Sequence, residues 1–213
     1  MNYGDLIEPV VSLATDAGER ILEVYATDFE VQSKDDESPL TQADLASHNA
    51  IVAGLARLTP DIPIISEEDG LPPFAERRQW TRYWLIDPLD GTREFVNRNG
   101  EFTVNIALIN KHRPVFGVVR VPVQSKTYIG CEGHGAERDA DGSKRRIKVS
   151  GSVGDTARVV GSRSHRGASL DAYLEKLGDY DMVPMGSSLK FCVIAEGSAD
   201  VYPRLGLTSE WDT

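Results

Sequence analysis

Cysteine is scarce in this chain: only Cys131 and Cys192 occur among 213 residues, far apart and in no metal-ligand spacing. That excludes a disulfide framework and a cysteine-bound zinc, and both thiols are expected to be buried. Basic residues are few as well, since 23 Lys and Arg face 33 Asp and Glu for a net charge of −10. Such a surplus of acid argues against nucleic acid as a partner. No apolar run approaches the ~20 residues that a membrane helix needs. The opening MNYGDLIEP is acidic and lacks the basic-then-apolar order of a secretory leader. The expected compartment is the cytoplasm, with a peripheral position at the inner membrane and the oligomeric state left open. What is present, 40% apolar and 26% charged residues, is enough to bury a core as one large domain or two small ones.

Leu6, Val10, Leu13, Ala17, Ile21 and Val24 recur every three or four positions, the stripe of an amphipathic helix from Asp5 to Tyr25. Thr41, three residues before Asp44, resembles a capping box that opens a second helix running through Leu58. Apolar runs predict a strand at 61–65, ending at Ser66-Glu67-Glu68-Asp69, and another at 83–86, ending at Asp87. Segments 102–109, 114–123 and 126–131 predict an antiparallel meander. After Gly133 the texture turns polar as far as about Asp155, and a domain boundary is placed there. Residues 1–135 read as an N-terminal α+β domain and 136–213 as a C-terminal α/β domain. In the latter, Val159-Val160, 181–184 and 200–203 are extended, while 168–177 and 188–196 are helical. Lys144-Arg145-Arg146 with Lys148 reads as a solvated hairpin face rather than a basic patch.

The segment most informative about chemistry is Trp84-Leu-Ile-Asp87-Pro88-Leu89-Asp90-Gly91-Thr92. An apolar strand delivers two carboxylates three residues apart around a turn stiffened by Pro88, so both can face one point. Gly91 permits a close backbone approach or an unusual φ, and a helix start near Thr92 would offer N–H groups to an anion. A cation held by Asp87 and Asp90 beside such a helix end makes a phosphate site, with the Leu89 carbonyl as a further oxygen ligand. Glu67-Glu68-Asp69 adds acids that would repel one another in one pocket without a counter-ion. Oxygen-only donors point to Mg²⁺, with Mn²⁺ as a substitute. Two such ions about 3.5–4 Å apart activate a water and stabilise the leaving oxygen of a phosphate ester.

Glu67-Glu68, Asp87-Pro-Leu-Asp90-Gly-Thr92 and Trp211-Asp212 together resemble the signature set of the lithium-sensitive, Mg²⁺-dependent inositol monophosphatase superfamily. Further motifs resemble its bacterial CysQ branch of 3′(2′),5′-bisphosphate nucleotidases over nearly the whole chain: Ser38-Pro-Leu-Thr41-Gln-Ala-Asp44, Arg98 to Ile109, Ser162-Arg-Ser-His165, Gly186-Ser-Ser-Leu-Lys-Phe191 and Tyr202-Pro-Arg204. The resemblance implies a layered αβαβα sugar-phosphatase fold. It also implies that Glu67, Asp87 and the Leu89 carbonyl hold one Mg²⁺, that Asp87, Asp90 and Asp212 hold a second, and that Asp44 serves a third, weaker ion and its water. Thr92 with Glu67 would position the attacking water, and the Gly91 and Thr92 N–H groups would hold the ester phosphate. Gly186, Ser187, Lys190 and Arg204, with His165, would line the adenosine and 5′-phosphate side; Arg163, His165, Lys190 and Arg204 are the positive charges that the second half supplies near expected loops. Relatives continue for several tens of residues past the Trp-Asp motif, so the C-terminal domain is expected to be an incomplete part of a longer protein.

The inositol branch usually carries an acid where this chain has Arg204, able to accept hydrogen bonds from inositol hydroxyls. Arginine cannot accept and favours phosphate instead. The expected reaction is therefore hydrolysis of the 3′-phosphate of adenosine 3′,5′-bisphosphate to AMP, in a setting of sulfur metabolism. The rivals are an inositol monophosphate or sugar-bisphosphate phosphatase of the same superfamily and, from another class, a non-catalytic binder of Mg²⁺ and nucleotide. His48, His112 and His134 are read as structural.

Overall fold

The computed structural model describes residues 2–27, 31–33, 39–162 and 168–212. A single 3-10 turn at Tyr3–Leu6 leads into α1 (Ile7–Tyr25), so the first expected helix is present with a tightened first turn. Its stripe faces inward: Leu6, Val10, Ala17 and Ile21 are buried, and Leu13 and Val24 pack at the margin of the same cluster. Strands β1 (Val31–Ser33) and β2 (Pro39–Thr41) form a small antiparallel pair. Helix α2 (Gln42–Leu58) starts directly behind Thr41, as expected, although the side chain of Thr41, the expected cap, lies outside the described residues.

The main sheet has seven strands in chain order. They are β3 (Ile64–Ser66), β4 (Arg82–Asp90), β5 (Thr103–Asn110), β6 (Arg113–Val121), β7 (Lys126–Cys131), β8 (Gly135–Ala140) and β9 (Ser143–Arg146). Only the β3–β4 pair is parallel; α3 (Phe74–Arg77) lies in the connection between them. The expected meander is present, with β6 ending at Val121 because Pro122 opens a 3-10 turn. One expectation needs correcting. β4 does not stop at Asp87 but runs on to Asp90, with a register shift between Asp87, opposite Asn105, and Asp90, opposite Thr103. Pro88 has no N–H to give the ladder, so pairing lapses there and resumes past the bulge.

The polar stretch after Gly133, read as the head of the second domain, carries β8 and β9, which extend this sheet. Its polarity is that of an edge: β9 is exposed throughout, and its lysine and arginine side chains discourage further pairing. Lys144 reaches Glu8 at 2.8 Å, in keeping with a solvated hairpin face.

Helices α1 and α2 cover one face of the sheet, α1 over β5–β7 and α2 over β4. Trp84 and Ile86 of β4 point into that layer, where the Trp84 indole donates to Thr59 Oγ1 at 2.8 Å. By strand alternation Leu85 and Asp87 face the other side, where Leu85 packs with Ile65, Ile109 and Trp211. The short helix α4 (Thr92–Val96) follows β4 directly.

The second half builds a smaller parallel pair, β10 (Ala157–Ser162) and β11 (Tyr180–Met185), joined through α5 (Ala168–Leu177). The expected extended segment at 200–203 pairs through Val201 with Val159, and Arg158 grips Asp200 in a two-pronged ion pair at 2.7 and 2.9 Å. Helix α6 (Leu189–Ala195) packs on the sheet face opposite α1, with Leu189 and Cys192 against Val121 and Tyr128. Both cysteines are free and buried, as expected. Among the described residues, no helix is long and apolar enough to cross a membrane.

Candidate active site

The parallel register of β3 and β4 sets Ser66 opposite Ile86, so the residues that follow, Glu67 and Asp87, emerge side by side. Their carboxyls hydrogen-bond to each other. Asp87 is buried, and one of its oxygens accepts the Leu89 N–H at 3.1 Å, folding the turn back on itself. The bulge after Pro88 aims Asp90 at the same point. Asp212 arrives from a 3-10 turn at Glu210–Asp212, anchored by Trp211 against the Leu85 cluster. Carboxylate oxygens of Asp87, Asp90 and Asp212 all lie within 4.8 Å of one another.

That crowding has a cost visible in the acidities. Burial first, then the charges of Asp90, Glu67 and Asp212, push Asp87 well above the usual carboxylate range. Asp90 is raised to about 6 by burial and then by Asp212, against the opposing pull of the Lys190 ammonium and the Ser188 N–H. Carboxyls arranged to repel, with oxygen the only donor atom, suit a hard divalent cation as their counter-charge. The residues present therefore fit a hard divalent cation, and Asp87, Asp90 and Asp212 are close enough together to share one.

Beneath the turn lies the start of α2. Asp44 is fully buried in its first turn, and Ser47, on the same helix face, donates to the Pro88 carbonyl at 2.7 Å. Asp44 is not among the residues that line the cavity beside Asp87 and Asp90. His48 bonds to Ser66 Oγ at 2.9 Å, in keeping with a structural role that braces the end of β3. Above the turn, Gly91 takes φ +91°, a left-handed conformation that L side chains rarely adopt. This bend starts α4 at Thr92, where the first N–H groups have no intrahelical acceptor and can face an anion.

The loop between β11 and α6 closes the other side. Gly186 donates its N–H to Glu101 at 2.8 Å, and a Cβ there would lie 2.4 Å from Glu94 Cγ, so only glycine fits. Ser188 donates its N–H to Asp90, and its Oγ lies 2.8 Å from both Thr103 Oγ1 and Asn105 Oδ1. Lys190 is largely buried and donates to the Ser187 carbonyl. Its burial lowers the pKa, while Asp90 and Glu94 hold the charge on it. Arg204 is exposed, and its guanidinium donates to Thr208 Oγ1 at 2.8 Å and to the Leu207 carbonyl at 2.6 Å.

One cavity of about 290 Å³ joins these pieces, lined by Glu67, Asp87, Leu89, Asp90, Gly91, Thr92, Ser187, Lys190, Arg204 and Asp212 among others. Gly186 adjoins it through the loop, whereas Arg163 and His165 lie outside the described residues. The sequence reading missed the support for Asp90: Thr103 and Asn105 on β5, and Glu101 under Gly186. The signal was there, since Thr103 and Asn105 are polar positions two apart in the otherwise apolar run of β5.

The sequence profile of the inositol monophosphatase family matches residues 3–213. A 3′(2′),5′-bisphosphate nucleotidase CysQ of Salmonella typhimurium is 51% identical over 211 residues, covering 98% of this chain and 84% of that protein. The protein of the same name from Escherichia coli K12 is 50% identical with the same coverage. The crystal structure of CysQ from Bacteroides thetaiotaomicron, described as a bacterial member of the inositol monophosphatase family, superposes with TM-score 0.83 at 40% identity. It covers 96% of this chain and 81% of that one. A Thermotoga maritima IMPase shares the fold at TM-score 0.80 and 22% identity, over 98% of this chain and 79% of that one. The chain belongs to the inositol monophosphatase family.

Proposed function

We propose that this member of the inositol monophosphatase family is a Mg²⁺-dependent 3′(2′),5′-bisphosphate nucleotidase that converts adenosine 3′,5′-bisphosphate to AMP and phosphate. The observation that carries the reading is one cavity lined by two chemistries, the carboxylates of Glu67, Asp87, Asp90 and Asp212 and the cations of Lys190 and Arg204. A monophosphorylated polyol needs only the carboxylates, while a substrate with a second phosphate needs the cations as well. Relatives about half identical over nearly the whole chain bear the nucleotidase name.

Asp87, Asp90 and Asp212, with Glu67 and the Leu89 carbonyl, would hold two Mg²⁺ ions, and Asp44 would serve a third, weaker one. When bound, such ions offset the crowded carboxylate charge and stabilise the charge of the phosphoryl group and the departing oxygen. The Gly91 and Thr92 N–H groups hold the ester phosphate, and Thr92 with Glu67 orients the water and takes up its proton. Water attacks phosphorus opposite the ribose O3′ and gives its proton to Glu67; the new P–O bond forms as the P–O3′ bond breaks, and O3′ leaves as an alkoxide that takes a proton from a second water. No covalent intermediate is needed. Lys190 and Arg204, with Ser187, Gly186 and, by the family resemblance alone, His165, would line the adenosine and 5′-phosphate side, so the reacting group lies between the N-terminal and C-terminal halves.

The test is phosphate release from adenosine 3′,5′-bisphosphate and from inositol 1-phosphate, each with Mg²⁺ and with EDTA. Metal-dependent preference for the nucleotide is expected, and faster release from inositol 1-phosphate would overturn the reading.

A further inference from the structure

The cavity wall is charged or hydroxyl-bearing along most of its length, but Phe191 and Tyr202 also line it. Their ring centroids are 5.1 Å apart and their planes stand at 78°, an edge-to-face pair. Tyr202 is engaged from another side too, with the Lys190 ammonium 5.6 Å from its ring centroid. Phe191 keeps 40% of its surface exposed, although its helix neighbours Leu189, Lys190 and Cys192 are buried. A phenyl ring open to a phosphate pocket contributes nothing to holding phosphate or a cation. Phe191 also borders a neighbouring apolar groove with Ile106, Phe116 and Trp211, and toward the charged cavity its ring offers a planar group a face to meet.

We propose that Phe191 is a specificity residue that stacks against the heteroaromatic base of the substrate, with Tyr202 holding its ring edge-to-face. The inference rests on the nucleotidase reading. Its support in the chain is an interleaving of charge and ring: Lys190 precedes Phe191, and Arg204 follows Tyr202 by two residues. Each cation assigned to the second phosphate thus has an aromatic neighbour. A nucleotide requires that combination, because its phosphate and its base leave the same sugar and must be met together. A sugar or polyol phosphate has no group for the ring to meet.

The experiment compares adenosine 3′,5′-bisphosphate with the base-free 1-O-methylribose 3,5-bisphosphate, in Mg²⁺, for the wild-type protein, Phe191→Leu and Phe191→Tyr. Leucine keeps the apolar volume and removes the π-face, and tyrosine restores the face. Phe191→Leu is expected to raise KM for the nucleotide roughly tenfold, the scale of one lost base-aromatic stack. KM for the base-free compound stays where it was, and Phe191→Tyr recovers most of the difference. An equal effect of Phe191→Leu on both substrates, or none on either, overturns the stacking role. Failure of the nucleotidase reading looks different: the wild-type protein itself would then not prefer the bisphosphates to inositol 1-phosphate.

Discussion

The acids at the end of β4 and the acid at Asp212 serve one centre but are built in opposite ways. Asp87 and Asp90 ride on a nine-residue strand paired on both sides, braced from below by Ser47 and from the side by Ser188. Asp212 sits on a single 3-10 turn, and its Oδ2 accepts the Ser209 N–H at 3.0 Å, a bond within its own turn. Arg204, on the same stretch, is likewise tied locally, to Leu207 and Thr208. The contrast separates two duties. In the proposed reading the sheet fixes Asp87 and Asp90 around a cation, while the loop stretch brings in both the last carboxylate, Asp212, and Arg204, which selects the phosphate ester.

The largest effect is expected from breaking the rigid side. Asp90→Asn should reduce kcat by more than ~10²-fold, beyond what loss of a supporting contact usually costs. In the absence of metal the same change should raise Tm, because it removes one of the repelling charges. A thermal melt in EDTA beside a phosphate-release assay reads both, and normal turnover would refute the metal role. Gly186→Ala comes next, since the new methyl would press on Glu94 and the Glu101 carbonyl. It should destabilise the fold by about 1–3 kcal/mol, the scale of overpacking, and loosen the loop that meets Asp90.

On the loop side, Arg204→Ala should lower kcat/KM for adenosine 3′,5′-bisphosphate by about 10- to 100-fold, the scale of a charge-assisted phosphate contact, and leave adenosine 3′-monophosphate nearly untouched. Equal losses on both substrates would put Arg204 in the chemistry instead of in selection. Ser188→Ala should be the mildest: the N–H to Asp90 remains, while the links to Thr103 and Asn105 go. A few-fold rise in the Mg²⁺ concentration needed for half-maximal activity, without loss of fold by circular dichroism, is the expected reading.

The pH dependence sharpens the same contrast. In the metal-free protein the folded pKa of Asp90 is raised from 3.8 to about 6, so the folded state binds more protons than the unfolded one in between. Stability in EDTA should therefore fall as the pH rises through that window, and Mg²⁺ should reverse the fall. Unfolding midpoints measured across it, with and without Mg²⁺, check the sign.

Much of the rigid side was legible in the sequence. An apolar strand ending in two acids around a proline can hardly place them elsewhere, and the helix stripe of α1 and the meander of β5–β7 follow from periodicity. The continuation of β4 to Asp90 was not legible, because a proline reads as a strand's end and only a paired neighbour shows the ladder resuming beyond it. The support of Asp90 by Ser188, Thr103 and Asn105 was equally hidden, since it joins β4, β5 and α6 across 85 residues of chain. Lys190, Arg204 and Asp212 were legible through family motifs alone, as no local pattern marks a helix lysine, a loop arginine or a distant acid as belonging beside the turn at Asp87 and Asp90.

In the proposed orientation the 3′-phosphate meets the carboxylates and the 5′-phosphate meets Lys190 and Arg204. Phosphorus NMR of the products from adenosine 3′,5′-bisphosphate tests it directly. Adenosine 5′-monophosphate and inorganic phosphate, formed with Mg²⁺ and absent with EDTA, are the expected result. Adenosine 3′-monophosphate as the product, or release that ignores EDTA, would contradict it.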